Sequence, residues 1–195
     1  MRRIERLSEK DRSLLQCAAV EGEVFSSNTL SHVLGIGRME VLRTLGRLER
    51  VHQIIRSEGV RYHFDHLNIR EVLYNELSDE LRRALHRSIA EFKERAHPDD
   101  PDPVLYDLAY HFSRSEDVDR AITYLMQAGN RARRLQAERE AIGYFERASD
   151  LLGTLPSGER EEQRTSVNET LGGLHVLVGE HDLALDRYEK ALMYA

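Results

Sequence analysis

Tryptophan is absent from these 195 residues, cysteine occurs once and proline four times. Each shortage narrows the reading. The single cysteine, Cys17, closes no internal disulfide, and a reducing cytoplasm is the expected location. Scarce proline beside abundant Leu and Ala leaves long stretches free to form helix. No apolar run nears the roughly 20 residues that a membrane-spanning helix needs. The N-terminal MRRIERLSEKDR carries basic residues but no apolar core, so it does not read as a secretory signal.

What is present is charge, and it is unevenly spread. With 32% charged and 41% hydrophobic residues, the chain should form one large or two small globular domains rich in surface ion pairs. Residues 1–96 hold 17 Lys/Arg against 15 Asp/Glu, whereas residues 97–195 hold 11 against 19. The acidic second half argues against nucleic-acid contact there, because phosphate binding needs clustered positive charge. Three of the four prolines fall in HPDDPDPV, residues 97–104, which marks a domain boundary. Asp102 then stands where an N-cap belongs, with Pro103 at the first helical position.

Before that boundary the pattern predicts three helices and a hairpin. Ser8 and Asp11 have capping-box spacing ahead of the stripe Leu14, Leu15, Ala18, Ala19. Residues 21–23 read as a turn. A short helix from Ser27 ends at Gly35 and Gly37, and a third runs from Arg38 to Arg50. Residues 53–65 then alternate with period two around Ser57-Glu58-Gly59, so that Ile54, Tyr62 and Phe64 face one way. This order is that of a winged helix, residues 1–66, and helical period returns in a bridge over residues 67–97. After the boundary, helices are expected near residues 103–114, 117–135, 138–152, 165–179 and 181–194, with a loop at 153–166.

Two of those helices share a spacing. AIGYFERA from Ala141 has A-x3-F-x2-A through Phe145 and Ala148, and ALDRYEKA from Ala184 repeats it through Tyr188 and Ala191. With Gly172 and Gly179 ahead of the second, the spacing resembles the tetratricopeptide repeat (TPR). The alanines lie 43 residues apart, against a usual period of about 34. Small residues let paired helices approach, the aromatic fills the gap to the next pair, and all six named residues are expected in the core. Residues 98–195 are therefore expected to be a TPR-like α-solenoid, irregular over 104–136. Stacked repeats offer a groove for a protein or peptide effector, and Asn130, Arg133, Arg134, Asn168 and His175 are the candidate groove residues. Leu192, Met193 and Tyr194 are expected to be partly uncovered, implying a fragment, a homo-oligomer contact or a partner at that end.

A longer phrase carries a second resemblance. YHFDHLNIREVLYNELSDELRRALHRSIAEF, residues 62–92, resembles the junction after the nucleotide-hydrolysing core of signal-transduction ATPases with numerous domains (STAND regulators). Phe64, His66, Ile69, Glu71, Tyr74, Leu77, Arg82, Arg83, Leu85 and His86 carry it. No G-x4-G-K-[ST] occurs, and Gly35-Ile36-Gly37 lacks the lysine that a phosphate cradle needs. The resemblance thus implies the regulatory arms alone, with the winged helix contacting an NTPase domain in cis or in trans. It makes His66 and His86 structural hydrogen-bonders.

The expected function is a non-enzymatic protein–protein interaction module without cofactor or metal. His63-x2-His66 finds no third ligand at useful spacing, and Cys17 sits on an apolar stripe. The alternative is a DNA-binding winged helix whose repeats dimerise. For it, Arg43, Arg47 and Arg50 form one stripe with Arg38 nearby and Arg56 and Arg61 on the wing.

Overall fold

The computed structural model describes residues 7–195, so the first six residues of the expected first domain lie outside it. It is mainly helical, with one small antiparallel sheet. The chain divides into two compact units, Met1–Asp99 and Asp100–Ala195.

In the first unit, helix α1 (Glu9–Glu21) starts where Ser8 Oγ accepts the Asp11 amide at 3.2 Å. It ends at Gly22, whose positive φ of 147° favours glycine. Helix α2 (Ser27–Leu34) is capped by Ser26 and stops at Gly35 in the left-handed region. Helix α3 (Arg38–Arg47) continues into a widened π-helical turn, Leu48–His52. Strands β1 (Val24–Ser26), β2 (Ile55–Glu58) and β3 (Arg61–Phe64) form a sheet in the order β1-β3-β2.

Strand β1 falls beside the expected turn and was not foreseen: three residues are too few to show alternation. It holds because Phe25 packs on Phe64, with ring centres 5.1 Å apart. Opposite Phe64 the register places Ile55 rather than Ile54, while Ile54 is buried just ahead of the strand. Helices α4 (Leu67–Asn75) and α5 (Asp79–Ala96) occupy the expected bridge and pack within this unit, α4 on α1 and α5 on α1 and α2. His86 on α5 is fully buried and bonds the Tyr74 hydroxyl at 3.0 Å, whereas His66 is exposed beside Asp65.

The second unit comprises α6 (Leu105–Phe112), α7 (Val118–Arg134), α8 (Glu138–Thr154), α9 (Glu161–Leu177) and α10 (His181–Tyr194). Phe112 stacks on Tyr124 to join α6 to α7. The hairpins α7–α8 and α9–α10 follow a common register of 43 residues. Gly129 lies under Phe145, and Gly172 under Tyr188; a Cβ at either glycine would sit 2.7 Å from the ring. The turns match as well, with Gln136 at φ 58° where Gly179 has φ 79°.

Helix α9 begins four residues before its expected start because Arg164 closes the loop ahead of it. Its guanidinium donates to the carbonyls of Glu159, Leu155 and Pro156 while remaining buried. Of the six residues expected in the core, Ala141, Phe145, Ala148, Ala184 and Ala191 are buried, but Tyr188 is 40% exposed. Its ring covers Gly172 on one side and is open on the other.

Candidate functional site

The C-terminal ends of α7 and α9, with the first residue of α8, enclose an open depression of about 470 Å³. Asn130, Arg133, Arg134, Glu138, Leu174 and Leu177 line it. Helical spacing explains the α7 contribution: residues 130, 133 and 134 are one turn apart and share a face. Arg133 and Arg134 are exposed and make no ion pair among the described residues. Leu177, 73% exposed, supplies apolar surface beside them. The lining thus sets two arginines, an asparagine and a glutamate around Leu177 and the edge of the buried Leu174.

Two of the five candidate groove residues are not in that depression. Asn168 and His175 are 4% and 2% exposed and belong to the interior of α9. Moving back by the 43-residue register places them at Leu125 and Ala132, which are core positions. Asn168 Nδ2 donates to the Arg164 carbonyl at 2.8 Å, and His175 Nδ1 pairs with Glu180 Oε2 at 2.8 Å. The hydrogen bond from His175 holds the half-buried Glu180 carboxyl below its ordinary value. Asn168 Oδ1 and His175 Nε2 find no hydrogen-bond partner among the described residues. The sequence reading missed Glu138, Leu174 and Leu177; the available signal was the register, which sets Leu177 at the position of Arg134.

In the first unit the basic stripe is real but reduced. Arg38, Arg43, Arg47 and Arg50 are all exposed, while Val41, Leu45 and Leu48 turn inward. Arg47 Nη2 is held by the buried Asp11 Oδ1 at 2.5 Å, so it braces α3 against α1 instead of standing free. Glu49 accepts both the backbone N–H and the hydroxyl of Ser57, at 2.6 and 2.7 Å, tying the π-helical turn after α3 to β2. These bonds, the backbone one first, lower its carboxyl below the usual range.

Burial pushes the Cys17 thiol far above its ordinary value, so it is not a reactive nucleophile. Among the described residues no group of three or more His, Cys, Asp or Glu could hold a metal ion, and no helix is long and apolar enough to cross a membrane. No family model, curated protein or solved structure matches the chain.

Proposed function

We propose that the chain is a non-enzymatic, cytoplasmic regulatory module for protein–protein interaction. In this reading the first unit is a winged helix, with α2 and α3 as its helix-turn-helix and β2–β3 as its wing. The second unit is a pair of TPR-like hairpins that receives a protein or peptide effector. The winged helix contacts the NTPase domain of a STAND-type regulator, in cis or in trans.

The observation that carries the interaction reading is the depression at Asn130, Arg133 and Arg134. Two adjacent exposed guanidiniums that make no ion pair among the described residues, beside Leu174 and Leu177, fit an acidic segment with an apolar anchor. The test is peptide display against the full chain. Acidic sequences should be enriched by the wild type and lost with Arg133→Glu/Arg134→Glu. Absence of enrichment, or enrichment indifferent to that double variant, would overturn it.

A second reading has its own support. Arg38 and Arg43 on α3, Arg50 in the π-helical turn after it, and Arg56 and Arg61 on the hairpin, are exposed without an ion pair among the described residues. That is the side a winged helix turns towards a DNA groove. Arg43→Ala/Arg50→Ala should then weaken DNA retardation at low salt. Equal retardation by variant and wild type, or none by either, ends this reading.

A further inference from the structure

The 43-residue register lets the two hairpins be compared position by position, and one face stands covered on the first and open on the second. On the first, Ile142, Phe145 and Leu152 of α8 are buried in one cluster with Val167, Leu171 and Leu174 of α9. Two carboxylates rim that covered face, and each meets an arginine of the next hairpin, one from Arg160 just ahead of α9 and one from Arg187 on α10. Arg160 Nη2 lies 2.6 Å from Asp119 Oδ1, and Arg187 Nη2 lies 3.6 Å from Glu146 Oε1.

The same positions on the second hairpin are Leu185 for Ile142, Tyr188 for Phe145, Glu162 for Asp119 and Glu189 for Glu146. Leu185 is 62% and Tyr188 40% exposed, against 8% and 1% for their counterparts. Leu192, at the position of Ser149, is 78% exposed and extends the apolar row. Glu162 and Glu189 are exposed and make no ion pair among the described residues. Glu169 in place of Met126, and Asp182 in place of Arg139, add two further exposed carboxylates.

We propose that this face docks a basic amphipathic helix of a partner protein. The partner's apolar side chains, spaced i, i+4, i+7 as Val167, Leu171 and Leu174 are, lie over Leu185, Tyr188 and Leu192. Its arginines or lysines meet Glu162 and Glu189, as Arg160 and Arg187 meet the equivalent carboxylates of the first hairpin. A second copy of this chain is the poorer occupant. Asp182 and Glu189 lie seven residues apart along one edge of the row, so a two-fold pairing of α10 with itself sets carboxylates against carboxylates. The proposal rests on the second unit being an interaction module, but at a face distinct from the depression at Arg133 and Arg134.

The experiment uses the full chain and a fluorescein-labelled synthetic helix with leucines at i, i+4 and i+7 flanked by arginines. Anisotropy should show saturable binding that salt weakens. Leu185→Asp should reduce affinity by about tenfold or more, and Glu162→Lys/Glu189→Lys by a similar factor. The double charge variant should instead prefer a probe whose arginines are glutamates. All three substituted side chains are exposed, and unchanged circular dichroism confirms folding. Arg133→Glu/Arg134→Glu should bind the probe as the wild type does. Four results would overturn the proposal. The wild type does not bind the probe, or it binds the glutamate probe equally well. Alternatively, sedimentation shows a wild-type dimer that Leu185→Asp dissociates, which gives the face to a second copy. If the probe is lost in the Arg133/Arg134 variant and kept in Leu185→Asp, the docking site is the depression, and the interaction reading survives without this face.

Discussion

Gln136 holds a left-handed backbone, φ 58°, at the turn where the second hairpin uses Gly179. A side chain there costs about 1 kcal/mol that glycine avoids. Gln136 is exposed, so Gln136→Gly should stabilise the second unit by about that amount in urea denaturation. Asn168 is the opposite case, a polar group inside a core. Asn168→Leu restores the residue type of Leu125 and removes an unpartnered oxygen, and should stabilise by about 1 kcal/mol. Asn168 and His175 were misread as groove residues because polar type alone suggests exposure. Only the register, which aligns them with Leu125 and Ala132, reveals the interior position. Asn130, Arg133 and Arg134 were legible because nothing pulls three polar side chains on one helical turn into the core.

At the scale of elements, the two glycine–aromatic pairs are alike in geometry and unlike in freedom. Phe145 is 1% exposed and cannot retreat from a new methyl group, whereas Tyr188 has open space beside it. Gly129→Ala should therefore destabilise by about 1–3 kcal/mol despite its better helix propensity. Gly172→Ala should cost less, and a thermal-melt comparison of the two variants checks the order. Glu49 links the π-helical turn after α3 to β2, and its lowered carboxyl fixes the sign of a pH effect. The contribution is present above the ordinary carboxylate value of 4.5 and is lost as pH falls through the lowered one. Glu49→Gln should flatten the acid limb of the melting curve, and an unchanged limb would contradict the link. Strong helical period made nearly every helix legible in the sequence. Strand β1 was not, because its pairing depends on β3, nearly 40 residues later. The early start of α9 was not either, because it depends on Arg164 reaching back to the loop carbonyls.

For the whole molecule, the chain divides between Asp99 and Asp100, inside the proline cluster at residues 97–104. The expected bridge, by contrast, folds into the first unit, because α4 and α5 bury Leu73, Ile89 and Ala90 there. No disulfide joins the hairpins of the second unit, so each draws its stability from its own interior and its neighbour. The second hairpin has Asn168 and His175 where the first has Leu125 and Ala132, and one side of Tyr188 is bare. Opening should therefore begin at α10 and reach α7 last. In deuterium exchange, the amides of α10 should label earliest among those of the second unit's helices. A ligand seated on Leu185 and Tyr188 should slow them far more than it slows α7, because the binding energy goes into the part of the chain that breathes most.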